Sequence, residues 1–579
     1  MWWGERGRVG AGSAASGICV RAQQEAWRSP PQGCADSAAP PQSVQAVISS
    51  RPRVGRVRED PQHPWGGHGA PQRTPKAGTL SLPLSPSAKQ SRSLTQPPLP
   101  PSLSLQTAAL AATATLAAGA SPQVCSAGSK KGGTCAAASR EFFPGIPKIA
   151  YEGPDSTNPL AFKWYNPDEV LAGRPMKDWL RFSVAFWHTL RGDGSDPFGD
   201  ATKAWPWEDP ALSPVDQAKV RMHAMFEFLE KIGVEYWCFH DRDIAPEGAT
   251  LAESNAWLDE VVAEAEALQA ATGKKVLWGT AQLFKHRRYA HGAATSPNAT
   301  VFAYAAAQVK KAMEVTHRLG GANYVFWGGR EGYHTLLNTD LKLELDNLAA
   351  FLKAAVAHKK RIGFKGALLL EPKPQEPTKH QYDWDAGSTL GFLRGYGLEK
   401  EFSLNIECNH ATLAGHSCEH ELTLAAAYGA LGNVDANTGD PQTGWDTDQF
   451  LTDPREATLL AAVILKNGGL APGGINFDAK LRRESTDVVD LFYGHISGMD
   501  AFARGLRNAV AMAEGGELEA AKAARYASYA SGLGARIRAG KATFEELEKA
   551  ALAGGDPADA GLPSGRAELM EIYLNQYTR

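Results

Sequence analysis

The chain has 579 residues, with 60 Lys and Arg residues against 63 Asp and Glu residues, and a formal net charge of −3. This near-neutral balance gives no reason to expect nucleic acid or an anionic membrane as the main partner. Hydrophobic residues make up 43% of the chain and charged residues 21%, an ordinary globular composition. The body of the sequence has no uncharged apolar run long enough to span a membrane. Seven cysteines, an odd number thinly spread, do not predict a disulfide framework.

The first 140 residues differ in composition from the rest of the chain. They hold 15 basic residues, 5 acidic residues and 16 of the 36 prolines. Such a segment cannot bury enough apolar surface to offset its ordering entropy, so we predict a disordered leader. Its Arg- and Ser-rich, acid-poor composition is typical of an organelle transit peptide, as in plastids. Two alternatives stay open: a secretory signal formed by Leu103–Ala120, or a low-complexity tail or gene-model artefact on a cytoplasmic protein.

From about residue 141, eight short apolar segments alternate with longer stretches of helical period. The predicted strands are Phe182–Trp187, Tyr236–His240, Lys275–Thr280, Asn323–Trp327, Ala367–Glu371, Ser403–Glu407, Asn433–Asn437 and Ile475–Asp478. Several are apolar throughout, which is typical of parallel strands buried on both faces. Eight such units predict an α/β fold, a (β/α)8 TIM barrel over residues 141–500. An open doubly wound sheet is the alternative, and eight repeats are many for it.

The last segment, residues 501–579, lies beyond the eighth unit and has a helical pattern. It includes GELEAAKAARYASYASGLGARI and FEELEKAALA. A helical arm without a core of its own usually packs on a neighbouring subunit, so we expect an oligomer.

Acidic residues follow four consecutive predicted strands. They are Glu371, Glu407, Asp435, Asp446, Asp448 and Asp478, with His410 three residues after Glu407. Since the carboxyl ends of barrel strands meet at one mouth, these groups should converge there. With Lys373 as the only compensating charge, the site would carry about −5, which two divalent ions would reduce to about −1. Each acid alone could be a helix cap or turn residue, but their concurrence favours a site for Mg²⁺, with Mn²⁺ or Co²⁺ also suitable.

Two further features point to chemistry at the same mouth. His240 precedes Asp243 by three residues, a spacing that allows the carboxylate to orient the imidazole as a general acid or base; a helix-capping histidine is the alternative. Trp187 and Trp327 would either fill the barrel or exclude water and stack on a sugar. Phe198, in the loop 192–199, is a candidate to reach into a neighbouring subunit's site.

The sequence resembles the xylose isomerase family, in its longer-chain class, from about Phe142 to the C-terminus. Eight motifs carry the resemblance in order: YEGPDSTNPLAFKWYNP, FHDRDIAPEG, WGGREGY, EPKPQEPTKHQYD, NIECNHATLAGH, VDANTGD, GWDTDQF and NFDAKLRR. The resemblance implies a homotetramer of barrels with helical C-terminal arms and two Mg²⁺, Mn²⁺ or Co²⁺ ions per subunit. The chain departs from the family in its leader and at Cys408, where a small residue is usual. Because Cys408 alternates with Glu407, we expect it to face away from the metals.

The resemblance also implies a role for each candidate residue. His240 and Asp243 match the pair that opens the cyclic sugar, and Lys373 matches the lysine that binds the sugar's carbonyl oxygen. Glu371, Glu407, Asp435 and Asp478 match the ligands of a structural ion. Glu407, His410, Asp446 and Asp448 match those of a catalytic ion, with Glu407 bridging. Trp187, Trp327 and, from the adjacent subunit, Phe198 match an apolar sleeve.

The implied activity is conversion of D-xylose to D-xylulose, and of D-glucose to D-fructose, by ring opening and a metal-assisted hydride shift. Crowded metal ligands beside tryptophans favour this route over proton transfer through an enediol. A metal-dependent barrel hydrolase or phosphodiesterase acting on DNA is the alternative. The net charge of −13 on residues 141–579 argues against it. A non-catalytic remnant is a weaker alternative, because every candidate residue is present.

Overall fold

The structure, a computed structural model, describes residues 140–559 and 561–578. The predicted leader, including the apolar segment Leu103–Ala120, lies outside this part of the chain except for its last residue. In the described residues, no helix combines the length and the apolar character that crossing a membrane requires.

Eight parallel strands close into a barrel in which each strand pairs with its neighbours in chain order. The strands are β1 (Phe182–Ala185), β2 (Tyr236–His240), β3 (Lys275–Thr280), β4 (Asn323–Trp327), β5 (Ala367–Glu371), β6 (Phe402–Glu407), β7 (Leu431–Asp435) and β8 (Ile475–Phe477). The predicted (β/α)8 barrel is therefore confirmed, and the open doubly wound sheet is wrong.

Four strands differ from their predicted bounds, β6 and β8 by one residue at one end and β1 and β7 by two residues. The chain leaves β1 after Ala185, because Phe186 and Leu190, four residues apart, both pack into the core, a spacing that fits a helix. Trp187 thus lies in the first turn of a helix. Strand β7 ends two residues early, because Asn437 leaves the barrel and pairs with Phe450 in a short antiparallel ladder.

Sixteen α-helices surround and follow the strands in the described residues. They are α1 (Met176–Leu180), α2 (Phe186–Arg191), α3 (Pro214–Ile232), α4 (Asp241–Ile244), α5 (Leu251–Thr272), α6 (Ala299–Arg318), α7 (Leu341–Ile362), α8 (Ala386–Gly395), α9 (Cys408–Leu413), α10 (Cys418–Ala427), α11 (Pro454–Asn467), α12 (Val488–Gly515), α13 (Glu517–Arg525), α14 (Gly532–Arg538), α15 (Phe544–Gly554) and α16 (Ala567–Tyr577). Side-chain caps start the longer return helices: Ser213 accepts from the Asp216 amide ahead of α3, and Thr250 from Glu253 ahead of α5.

Shorter elements decorate the loops. Two-residue strands pair as Val170–Leu171 with Arg174–Pro175, Gly332–Tyr333 with His380–Gln381, and Asn437–Thr438 with Gln449–Phe450. The 3₁₀ helices are Arg287–Tyr289, Leu336–Asn338 and Ala527–Tyr529. The Asn437–Phe450 ladder matters most for function, because the turn that it closes carries Asp446 and Asp448.

The boundary predicted at residues 500–501 falls inside helix α12. This helix buries Phe492, Met499 and Phe502 in the core that the barrel strands share. Beyond it, helices α13, α14 and α15 contain no buried residue, and Phe544 is 87% exposed. The segment after α12 therefore presents apolar side chains to its surroundings, as a surface that packs on another chain would.

A buried histidine in α12 gives the fold a defined pH dependence. His495 donates from Nδ1 to the Leu491 carbonyl at 2.8 Å, and its Nε2 has no hydrogen-bond partner in the described part of the chain. Its ring packs against Phe228, Phe450 and Phe477, with centroids 4.9, 4.9 and 5.7 Å away. Burial in this apolar setting lowers the pKa of His495 to about 4.

We therefore expect His495 to destabilise the fold as the pH falls from about 6.5 to about 4, because only the unfolded chain binds the proton in that window. The loss amounts to about 3 kcal/mol. The variant His495→Phe should lack this component, so metal-free wild type should lose more stability than metal-free variant between pH 7 and pH 4 in urea unfolding. An equal loss in the two proteins would contradict the prediction.

One disulfide bond joins the start of α9 to the start of α10. Cys408 and Cys418 are bonded with an S–S distance of 2.04 Å, while Cys238 is the free cysteine of the described residues and is buried. The cysteine count of the sequence did not predict this bond. Cys408 is the first residue of α9 rather than a residue of β6, so strand alternation does not apply to it, and its side chain bonds Cys418. Four of the seven cysteines fall in the first 140 residues, and this hid the pair from an argument based on composition.

Replacing Cys418 by Ser is expected to lower stability by about 2–3 kcal/mol, since the bond closes a loop with a sequence separation of 10. Thermal unfolding with and without dithiothreitol measures this loss. The reductant should lower the wild-type midpoint and leave that of Cys418→Ser unchanged. If the reductant moved both midpoints equally, the bond would not be the source of the stability.

Candidate active site

The barrel brings the six predicted carboxylates and His410 together at one mouth. Glu371, Glu407 and Asp435 are the last residues of β5, β6 and β7, and Asp478 directly follows β8. Asp446 and Asp448 lie in the turn closed by the ladder of Asn437–Thr438 and Gln449–Phe450, where Asp448 has φ of 44°. Asp446 and Asp448 thus reach the mouth from a loop, in which Asp448 has a left-handed conformation that is uncommon for residues other than glycine.

Glu407 stands at the centre of the cluster. Its carboxylate belongs to three groups whose potential ligand atoms lie within 4.8 Å of one another: with Glu371 and His410, with Asp446 and Asp448, and with Asp435 and Asp478. His410 Nε2 lies 3.2 Å from Glu407 Oε2 and 3.1 Å from Asp446 Oδ2. Its Nδ1 donates to the Pro372 carbonyl at 3.1 Å, which fixes the tautomer that leaves Nε2 free to coordinate an ion.

A layer of buried asparagines supports the carboxylates from below. Asn405 donates to Glu371 Oε2 and to Asp435 Oδ2, both at 2.7 Å, and Asn476 donates to Asp435 Oδ1 at 3.0 Å. This layer was not predicted from the sequence, although a signal was available. Each asparagine stands two residues before an acid, in Asn405-Ile-Glu, Asn433-Val-Asp and Asn476-Phe-Asp. Alternation along a strand puts both members of each pair on the inner face.

The electrostatics of the cluster match those of a cation site. Burial, followed by neighbouring carboxylates, raises the pKa values of Glu371, Glu407 and Asp435 well above their usual range. For Asp446, burial acts in the same direction, but Lys373 and His410 outweigh it and hold its pKa well below the usual value. Three acids that resist ionisation until positive charge arrives are what a site for divalent ions requires.

The structure adds two cationic groups that the sequence analysis did not place here. His188 Nε2 lies 2.8 Å from Asp478 Oδ1 and 3.2 Å from Asp448 Oδ2. Burial would lower its pKa, but the two carboxylates prevail and raise it to about 9. Lys480 Nζ donates to Asp448 Oδ2 at 3.0 Å. Lys373 is therefore not the only positive charge that compensates the carboxylates at the mouth.

Lys373 is buried and faces the mouth from the loop after β5. Its Nζ donates to Asp446 Oδ2 at 2.6 Å, lies 3.2 Å from Glu376 Oε2, and stands 5.2 Å from the centroid of the Trp327 ring. Burial disfavours the charged form, but Asp446 and Glu376 outweigh it and raise the pKa of Lys373. The ammonium therefore stays charged beside any ligand in the mouth.

His240 and Asp243 form a pair on the opposite wall. His240 Nδ1 lies 3.0 Å from Asp243 Oδ2, and Gln282 donates to Asp243 Oδ1 at 3.1 Å. Burial would raise the pKa of Asp243, but the imidazole of His240 and the guanidinium of Arg191 hold it below its usual value. The carboxylate thus remains charged and orients the imidazole with Nε2 directed elsewhere.

Aromatic rings line the wall between the pair and the carboxylates. The Trp187 ring lies 4.3 Å from the His240 ring, and Trp187 Nε1 donates to Asp478 Oδ1 at 2.9 Å. Phe284, absent from the sequence analysis, links His240 and Trp327, with ring centroids 5.6 and 4.5 Å away. Trp187 therefore does more than fill the barrel, because its indole nitrogen binds one of the carboxylates.

Most of these groups border one cavity of about 760 Å³. Its lining includes the His240–Asp243 pair, Lys373, His410 and all of the six carboxylates except Asp435. Phe198 also lies on its rim, 77% exposed, with its ring 5.4 Å from that of Trp445. Its insertion into a neighbouring subunit's site stays a prediction. The cavity is in the range typical of small-molecule sites, with apolar walls and convergent polar groups.

The fold and the site together define a (β/α)8-barrel enzyme whose mouth could hold divalent ions. The chain is 66% identical to the xylose isomerase of Hordeum vulgare over 434 residues, which are 75% of this chain and 90% of that protein. The identity to the Arabidopsis thaliana xylose isomerase is also 66% over 434 residues, again 75% and 90% of the two chains. The Thermotoga maritima xylose isomerase is 56% identical over 437 residues, which are 76% of this chain and 98% of that protein. A family model described as the XylA2 C-terminal domain matches residues 522–578. The chain belongs to the xylose isomerase family.

Proposed function

We propose that this protein interconverts D-xylose and D-xylulose, and D-glucose and D-fructose as well. One observation carries the proposal: a single cavity is lined by six of the seven residues of the carboxylate and imidazole cluster and by the His240–Asp243 pair, together with Trp187 and Trp327. The alternative of a DNA-directed hydrolase has no comparable support, because the family to which the chain belongs acts on sugars by its name.

His240 would open the cyclic sugar. A pyranose opens when a base takes the proton of the anomeric hydroxyl while an acid protonates the ring oxygen. With Asp243 against Nδ1, the Nε2 of His240 is free to exchange a proton with the sugar. Asp243 keeps the imidazole in one orientation and stabilises its protonated form, so that the proton moves at one defined atom.

Two divalent ions per subunit, Mg²⁺ before Mn²⁺ or Co²⁺, suit these ligands. Glu371, Glu407, Asp435 and Asp478 would hold a structural ion. Glu407, His410, Asp446 and Asp448 would hold a catalytic ion, with Glu407 shared. When bound, the ions act as Lewis acids that polarise the oxygens on C1 and C2 of the open sugar. Lys373 donates a hydrogen bond to the carbonyl oxygen and adds its own positive charge.

The isomerisation itself moves one hydrogen from C2 to C1 as hydride. The C2–H bond breaks and a C1–H bond forms, while the C2 hydroxyl becomes the carbonyl and its proton passes to the oxygen on C1. Trp187, Trp327 and Phe284 exclude water from the reacting carbons, which prevents exchange of the migrating hydrogen with solvent.

Isomerisation of xylose deuterated at C2, in ordinary water, tests both the activity and the route. Nuclear magnetic resonance of the xylulose should show the deuterium at C1, with little loss to solvent. Wholesale loss of the label would refute the hydride route and favour an enediol. Failure to convert any aldose, together with cleavage of an abasic-site duplex, would refute isomerisation and favour the hydrolase.

We further propose that the protein forms a homotetramer and that it is targeted to an organelle. The exposed apolar side chains of the segment after α12, and Phe198 at the rim of the cavity, support contacts between subunits. Size-exclusion chromatography with light scattering measures the subunit number. The composition of residues 1–140 supports a plastid-like transit leader, and N-terminal sequencing of the native protein would show whether it is removed.

A further inference from the structure

A second cluster of potential ligands lies outside the mouth, around the first turn of α10. His416 precedes the helix, while His420 and Glu421 lie within its first turn and a half. One ligand atom from each lies within 4.8 Å of the other two. The imidazole rings of His416 and His420 are tilted by 34° to each other, with centroids 4.7 Å apart. A metal ion would bind the lone pair of one ring nitrogen of each histidine, so both would act as neutral ligands.

The carboxylate of Glu421 has one oxygen that is hydrogen-bonded to the protein and one that faces the two histidines. The side chain is 4% exposed, and its Oε2 accepts the Ala386 amide at 2.6 Å. The other oxygen, Oε1, is buried and has no hydrogen-bond partner among the described residues. That oxygen faces His416 Nε2 at 3.9 Å and His420 Nε2 at 4.0 Å. A buried carboxylate oxygen without a donor is costly, and an ion among the three groups would satisfy it.

A fourth oxygen is within reach of the same position. Asp385 Oδ2 lies 3.3 Å from His416 Nε2, while its Oδ1 caps α8 by accepting the Ser388 amide. Two imidazoles with one or two carboxylates are a ligand set for a borderline ion such as Zn²⁺ or Co²⁺. Two donors on one tetrahedral ion are about 3.4 Å apart. The distances from Glu421 Oε1 to the two imidazole nitrogens, 3.9 and 4.0 Å, exceed this by about half an ångström, so binding would require small rotations of both histidine side chains.

We propose that His416, His420 and Glu421, with Asp385 as the fourth ligand, form a third cation site of the Zn²⁺ class. The site is chemically distinct from the potential ligand groups at the mouth, which consist of carboxylates and the single imidazole of His410. It would tie the start of α10 to the start of α8. Its position beside the Cys408–Cys418 bond means that two cross-links anchor the segment that carries Glu407 and His410.

The test counts cobalt ions in the whole protein after chelation and dialysis. Wild type should bind one more Co²⁺ per chain than His420→Ala or Glu421→Gln in equilibrium dialysis. The difference spectrum should show the strong visible absorption of tetrahedral cobalt. The Glu421→Gln side chain keeps an oxygen that can accept the Ala386 amide, so the contact between α10 and the start of α8 is retained. The exposed neighbour Glu419, changed to Gln, is the matched control and should bind as wild type does.

Equal ion counts in wild type and both site variants would overturn the third site. Loss of the same ion in Glu419→Gln would also overturn it, by showing a general effect of charge on this turn. Isomerase activity, measured on the same samples with added Mg²⁺, should stay close to the wild-type value in His420→Ala. The activity reports on the proposed function, and the cobalt count reports on the third site, so either can fail independently of the other.

Discussion

Replacing Glu407 by Gln should abolish sugar isomerisation, with kcat reduced by about 10³-fold or more. Glu407 is the one carboxylate shared by all three potential ligand groups at the mouth, so its loss weakens every ion held there. Several kcal/mol of transition-state stabilisation depend on such ions, and about 4 kcal/mol corresponds to 10³-fold in rate. Steady-state kinetics with xylose, together with metal analysis of the dialysed protein, measures both losses.

The same variant should be more stable than wild type when metal is absent. Burial and neighbouring carboxylates raise the pKa of Glu407, so its charge at neutral pH opposes folding until cations bind. Thermal unfolding in a chelator should give a higher midpoint for Glu407→Gln, and added Mg²⁺ should reverse the order. The exposed Glu399, changed to Gln, is the control and should alter neither activity nor metal response. An active Glu407→Gln enzyme with full metal content would refute the central role of this carboxylate.

Replacing His240 by Gln should lower kcat by about 10² to 10⁴-fold while leaving the metal content unchanged. The imidazole faces Asp243 and the aromatic wall, and it belongs to none of the potential ligand groups in the described residues. General acid–base catalysis contributes about this factor in rate. Kinetics combined with metal analysis distinguish the two variants. His240→Gln should lose proton transfer and keep its ions, whereas Glu407→Gln should lose ions.

A surface histidine provides the matched control for this variant. His317, exposed in α6, should tolerate the change to Gln with no effect on kcat. The variant Asp243→Asn should fall between wild type and His240→Gln, because an amide can hold the imidazole but cannot stabilise its protonated form. Full activity of His240→Gln, or loss of its ions, would show that His240 does not transfer the proton.

Local sequence patterns predicted most of the barrel because each strand and each helix has its own periodicity. Apolar segments such as Ala367–Glu371 and Lys275–Thr280 fall on the observed strands at both ends. The first strand was predicted to be two residues too long, and the seventh was predicted two residues too late in the chain. In both cases the extra residues are claimed by tertiary contacts, Phe186 by the core and Asn437 by pairing with Phe450. The periodicity of one segment does not reveal whether tertiary contacts will override its strand pattern.

The candidate site divides in the same way. The acids at the ends of β5 to β8 could be identified because parallel strands all point their carboxyl ends to one mouth. His188 could not, because it lies in a helix that follows the shortened β1, and its two carboxylate partners are more than 250 residues away along the chain. Phe284 and Lys480 were missed for a related reason, since loops carry them into the mouth.

The sequence by itself determined the number of βα units, the placement of an acid after each of four strands, and the motifs of the family. Those properties depend on local sequence, because the spacing of residues along the chain fixes their positions on a strand or a helix. Only the tertiary structure decided which carboxylates share Glu407, which cations neutralise them, that Cys408 bonds Cys418, and that Glu421 faces two histidines. Each of these depends on distances between segments far apart in sequence, and those distances are fixed when the barrel closes and its side chains pack.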